Sequence, residues 1–151
     1  MLTSETNETL YEQDFYLWIQ TTVKLLQEGK LEKLDIANLI EEIDSIGRSE
    51  KKELKNRLII LIEHLLKLQY WTEEKESNAR GWRNTIVEQR RQIIYLLEDS
   101  PSLKSVLEDV FLDCYKDARN DTIRKYRLPS ELFPQESPFS VAQILDADFI
   151  L

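Results

Sequence analysis

Residues 58–68 read LIILIEHLLKL, and the reading of this stretch decides the fold. At about 100° per residue, Leu58, Ile59, Ile60, Leu61, Ile62, Leu65, Leu66 and Leu68 surround a helix almost completely. A narrow polar edge is left at Asn56, Glu63 and Lys67. A helix that is apolar nearly all round belongs in the middle of a bundle. The interruptions at Glu63, His64 and Lys67 keep the run far short of the roughly 20 apolar residues that a membrane span requires.

Toward the amino terminus the same periodicity continues. Leu54, Leu61, Leu65 and Leu68 stay in register with an earlier stripe of Ile36, Leu39, Ile40, Ile43 and Ile46, so two readings are open. Either one long helix covers 36 to about 71, or two helices break at Gly47. Asp35 can cap the start. Before it, a helix over about 12–28 carries Phe15, Trp18, Ile19, Thr22, Leu25 and Leu26 on one face, with Gly29 placed to end it. In the other direction, the polar stretch 72–78 reads as a connection or as the extension of a helix end. A third long helix follows over about 80–98, with Trp82, Ile86, Ile93, Leu96 and Leu97 on its main face. Asp99-Ser100-Pro101 punctuates the chain, with Ser100 as the next cap and Pro101 in the first turn. The following helix runs to about Arg127 and aligns Leu103, Val106, Leu107, Val110, Phe111, Cys114, Tyr115 and Ala118. Pro129, Pro134 and Pro138 then forbid a continuous helix. Phe133 and Phe139 would anchor this tail, and Ser140 caps a short last helix through Val141, Ile144 and Leu145.

The fold expected is all-α: a bundle of about four or five main helices in a single domain spanning 1–151. Its core covers about 10–128, and a proline-bearing extension, 129–151, packs on the outside. The 151 residues are 42% hydrophobic and 32% charged with three glycines and four prolines, the profile of a helical globular chain. MLTSETNETL has no basic region followed by an apolar run, so it does not read as a secretory signal. The single cysteine cannot form an internal disulfide, and a cytoplasmic protein is the simplest inference. The net charge of -8 opposes attraction to nucleic acid or anionic lipid. It is unevenly spread: 3 Lys/Arg against 10 Asp/Glu in 1–47, 11 against 7 in 48–95, and 6 against 11 in 96–151. Segments that pack together and neutralise one another account for this pattern.

Polar residues on apolar faces are the candidate site. On the third long helix, Arg83 and Arg90 project beside the Trp82, Ile86, Ile93, Leu97 cluster, and Gln89 falls between Trp82 and Leu96. A guanidinium there must be paired or must line a cavity, because an unpaired buried charge is very costly. Glu42 and Glu50, on or beside the second stripe, are the expected partners. An internal arginine-carboxylate network that fixes helix register is the simplest account. The functional alternative is an enzyme or ligand-binding pocket in which Arg83 and Arg90 hold an anionic group, with Glu42, Glu50 or His64 moving a proton. A second alternative is nucleic-acid binding through segment 80–91, where Arg80, Arg83, Arg90 and Arg91 accompany Trp82.

Familiar chemistries find little support. Di-iron bundles need Glu-x-x-His on two helices, but His64 is the only histidine and Leu61 stands three residues before it. One cysteine and one histidine do not make a zinc site. Gly29, Gly47 and Gly81 are isolated, so no phosphate loop exists. Cys114 sits mid-stripe and reads as a buried small hydrophobe. No catalytic, cofactor or metal residue is assigned.

The order of segments carries a resemblance. YEQDFYLWIQ, LDIANLIEEIDSIGRSEKKEL, HLLKLQYW, GWRNTIVEQRRQI, LEDSPSL and LFPQESPFSVAQILDADF together resemble the bacterial family described as domain of unknown function 29, from about Leu10 to Phe149. The resemblance implies an all-helical bacterial domain and no established activity. It directs attention to Trp82, Arg83, Ile86, Glu88, Gln89 and Arg90, the stretch that helical projection also singles out. Because catalytic signatures are missing and the chain is small and acidic, the expectation is a small non-catalytic module that binds another protein, regulatory or antitoxin-like in kind.

Overall fold

A computed structural model describes residues 10–151. Residues 1–9, which carry most of the stretch read for a secretory signal, lie outside the described part. The chain forms two compact units, one ending at Ser49 and the other Glu50–Leu151. Each is described by itself.

In the first unit, a helical turn at 10–13 precedes α1, Phe15–Gln27. Asp14 caps α1, its carboxylate accepting from the Leu17 amide at 3.1 Å, which moves the start three residues past the expected one. Gly29 ends the helix in the left-handed region, φ 71°, which glycine adopts without steric cost. After a 3-10 turn at Leu31–Lys33, Asp35 accepts from the Asn38 amide at 3.3 Å and its side-chain amide at 2.7 Å. The second helix, α2, is then one unbroken element, Ile36–Tyr70. Gly47 does not interrupt it. The rungs on either side of one glycine suffice, since a helix-interior glycine costs only about 1 kcal/mol relative to alanine.

The second unit is an all-helical bundle. The later part of α2 supplies Leu54, Leu58, Leu61, Ile62, Leu65, Leu66 and Leu68, all fully buried. Packed on them are α3, Thr72–Asp99, through Trp82, Ile86 and Ile93, and α4, Leu103–Tyr126, through Leu107, Val110, Phe111, Cys114, Tyr115 and Ala118. Of the two readings of stretch 72–78, the helix extension holds: it is the first two turns of α3, and Trp71 alone separates α2 from α3. Glu73 and Glu74 in that first turn suit the positive end of the helix dipole, which outweighs their loop-like polarity. Ser100 closes α3, its amide donating to the Leu96 carbonyl, and α4 begins only at Leu103.

The polar edge expected along 56–67 is not a solvent edge. Asn56 is exposed, but Glu63 and Lys67 are buried, because α2 is covered on that side as well. Past α4, which ends on a left-handed Arg127, the tail contains a 3-10 turn at Ser130–Leu132 and the short α5, Val141–Leu145. Phe133, Phe139 and Ile144 enter the core. Ser140 and Gln143 cap α5 reciprocally, each side chain bonding the other's backbone amide. No strand occurs among the described residues, and none of the helices there is long and apolar enough to cross a membrane.

Candidate functional site

The arginines singled out from sequence reach main-chain carbonyls. Arg90 is 3% exposed. Its Nε donates to the Ile144 carbonyl at 2.7 Å, and its Nη2 donates to Phe149 at 2.8 Å and to Gln143 at 3.5 Å. Burial lowers its pKa from the ordinary value, and nearby Asp146 opposes that shift. Arg83 is exposed, and its Nε donates to the Leu151 carbonyl at 3.0 Å. On α4, Arg119 donates to the carbonyls of Ser130 and Phe133, and the Tyr115 hydroxyl donates to Pro134 at 2.6 Å. Four side chains of the bundle thus satisfy carbonyls of a tail with few of its own ladder bonds. A guanidinium suits this work because its planar fork reaches two acceptors at once.

The other residues predicted from sequence are dispersed. Gln89 accepts from Arg57 at 3.3 Å, and Arg57 also pairs with Glu53. Glu42 accepts from the Tyr11 hydroxyl in the first unit, and Tyr11 is raised from its ordinary pKa mainly by that bond. Glu50 is half-buried on α2. In segment 80–91, Arg91 pairs with Glu88 at 2.7 Å, and Arg80 is exposed.

Trp82 and His64 belong to a second cluster, which sequence reasoning found only in part. Its centre is Lys67, 3% exposed, with no carboxylate among its partners. Its Nζ donates to the Tyr126 hydroxyl at 3.1 Å and lies 4.9 Å from that ring and 5.3 Å from the Trp82 ring. Trp71 stacks on Trp82 at 5.8 Å and packs on Tyr126 at 4.9 Å, completing the aromatic wall. Desolvated cation–π contacts of this kind contribute up to about 2 kcal/mol each. His64 Nδ1 lies 2.7 Å from the Ile60 carbonyl, where it donates, which leaves Nε2 to accept from Lys67 at 3.5 Å. Burial, with Lys67 and Lys125 nearby, holds the His64 pKa below its ordinary value.

A glutamate four residues before a lysine pairs with it on an exposed helix. Glu63 instead takes Lys125 at 3.0 Å, which raises the Lys125 pKa, and Lys67 turns to the aromatic groups. The sequence signal for this exchange was a lysine set among leucines on a helix apolar nearly all round.

Cys114 is buried in α4, and burial pushes its thiol up to about 11, so little nucleophilic thiolate forms near neutrality. Among the described residues, no group of three or more His, Cys, Asp or Glu converges as metal ligands.

The largest departure from the expected faces lies in the first unit. The isoleucine stripe of α2 is open: Ile36, Ile40, Ile43 and Ile46 are 50–64% exposed, and only Leu39 is half-buried. On α1, Trp18 and Thr22 are buried, while Phe15, Ile19 and Leu26 are exposed. The helix turned its mixed face inward: Asp35 is buried, and Asn38, Leu39, Glu42 and Ser45 are half-buried. Capping bonds at Asp35 and the Tyr11 bond to Glu42 hold that orientation.

No curated protein and no solved structure matches the chain. The model of one family does match it, over residues 10–150, and the chain belongs to that family, described as domain of unknown function DUF29.

Proposed function

We propose that this protein is a small non-catalytic interaction module, regulatory or antitoxin-like in kind, that acts in the bacterial cytoplasm by binding another protein molecule. The observation that carries this reading is the open isoleucine stripe of α2. Scattered surface apolar residues need no explanation, but a run of helical turns whose apolar stripe lies in water presents a surface for burial elsewhere. Pairing within the chain also occupies two of the polar residues that a catalytic reading would recruit: Arg90 donates to carbonyls through Nε and Nη2, and Glu42 accepts from Tyr11.

The test is recovery of the tagged chain from its host at native abundance. A protein is expected in near-stoichiometric amount, and it should be lost when Ile40→Asp and Ile43→Asp are combined in a chain whose helical circular dichroism is unchanged. Equal recovery with both substitutions in place would remove the reading.

A second reading rests on one observation. Arg90 Nη1 is buried without an acceptor, and Arg90 lines a small hollow of about 210 Å³ with Val87, Arg91, Ile94 and Ala147. In this reading the hollow accepts the anionic group of a small ligand. Titration with acetate and with phosphate tests it, with a rise in melting temperature expected for one anion and lost in Arg91→Gln. No rise with either anion would dispose of it.

A further inference from the structure

We infer that the open stripe of α2 is the self-complementary interface of a two-fold dimer, its occupant being the same stripe of a second copy. The inference rests on the reading of this face as a contact surface, and it follows from the spacing of the stripe. Ile36, Ile40, Ile43 and Gly47 repeat at intervals of four, three and four residues, so they lie within about 60° of one another around the helix, as in a coiled-coil seam. An antiparallel copy whose two-fold axis crosses α2 between positions 41 and 42 brings Ile40 onto Ile43 of the second copy. The same axis brings Ile36 onto the bare backbone at Gly47. Each contact is made twice, as an isologous interface requires.

Gly47 supplies the hole that receives Ile36. It is exposed in mid-helix, where a Cβ would meet nothing within 4 Å beyond its chain neighbours and the adjoining helix backbone. Nothing inside the unit therefore calls for glycine there, and a glycine costs helix stability. A knob arriving from outside gives the missing side chain a purpose. Leu39 and Ile46 lie together on one flank and extend the apolar strip.

Charge permits the pairing despite the acidic surplus of this region. The acids nearest the axis are already matched: Arg48 binds both Glu41, at 2.9 Å, and Asp44, and Glu42 holds Tyr11. Two copies then meet along a seam without facing rows of unmatched carboxylates. The area is modest. Four isoleucines each open by on the order of 100 Å², with Leu39 beside them, cover about 1,000 Å² in a symmetric pair, the lower bound for specific association. The dimer is accordingly weak and depends on concentration.

Sedimentation of the full-length chain over about 5 to 500 μM tests this. The wild type should shift from monomer to dimer. Ile40→Asp should stay monomeric throughout, and Gly47→Leu should weaken the dimer by about tenfold or more while keeping or raising helicity. The glycine substitution is the sharper arm, because it removes no apolar contact and adds one side chain to the proposed hole. A wild type that stays monomeric at 500 μM overturns the dimer. If Ile40→Asp also abolishes capture of a different host protein, the interaction reading survives that failure; without such capture it falls too. A dimer that persists unchanged in Gly47→Leu places the contact elsewhere and equally overturns the inference.

Discussion

Between Glu50 and Leu151, nineteen buried hydrophobic residues join one core, whereas among residues 10–49 Trp18 is the one buried hydrophobic side chain. Exposure runs the other way. Of sixteen exposed large hydrophobics among the described residues, eleven fall in the shorter unit. Both regions are helical and both carry apolar stripes, so periodicity alone does not separate them. The difference lies in what each helix can turn against. The later part of α2 is covered by α3, α4 and the tail, while its first turns sit in a unit with one other long helix and a buried aspartate. An apolar stripe marks a surface that will be buried; whether the same chain buries it depends on how much chain is at hand.

The contrast can be broken most directly in the core. Leu61→Ala, at a fully buried site, should cost about 2–5 kcal/mol in urea unfolding. Its counterpart Ile43→Ala should stay within about 0.5 kcal/mol at micromolar concentration. Equal losses would show that the stripe of α2 is internal after all.

Next in size is the tail. Arg90→Met strips partners from the carbonyls of Ile144 and Phe149, and should cost about 1–3 kcal/mol with faster amide exchange over 141–149. Arg90→Lys should not restore it, since one ammonium cannot span both acceptors. Arg83→Met, at an exposed site, should stay within about 0.5 kcal/mol.

A smaller effect separates the units by pH. His64 has its folded pKa below the ordinary 6.5, so the folded state disfavours the added proton. Its contribution is complete above pH 6.5 and declines as pH falls from there through the folded value. The proton would land on Nε2, facing the Lys67 ammonium, with Lys125 adding to the repulsion. Melting temperature should therefore fall on acidification from pH 7 to 5.5, and His64→Gln should flatten that slope. An unchanged slope would mean that His64 is not the group responsible. Smallest in energy is Cys114: its thiol should react with a disulfide reagent only as fast as the bundle opens, and rapid labelling of the native protein would contradict its burial.

The bundle was legible because its cues agree: period, capping residues at Asp35 and Ser140, and proline punctuation after Leu128. Continuity at Gly47 was not, since a glycine's cost of about 1 kcal/mol is small against the rungs on either side. The candidate site was half legible. Projection placed Arg90 on a buried face correctly in kind, but it looked for carboxylate partners. Carbonyls of an irregular tail leave no trace in residue types, so the tail's demand for donors was invisible. Lys67 went unremarked for the same reason: its partners, Tyr126 and Trp82, lie far along the chain and are uncharged. The outward turn of Ile36, Ile40 and Ile43 depends on which face of α2 the local bonds of Asp35 and Glu42 claim, and hydropathy does not rank those bonds.

The grip of Arg90 on Ile144 and Phe149 has a bearing on how this chain can vary. What is held is main chain, common to every residue, so the grip itself asks of the intervening positions their number and not their identity. Substitutions at 147 and 148, both exposed, should be tolerated broadly, while inserting or deleting one residue there would carry a carbonyl out of reach and release residues 145–151 from the bundle.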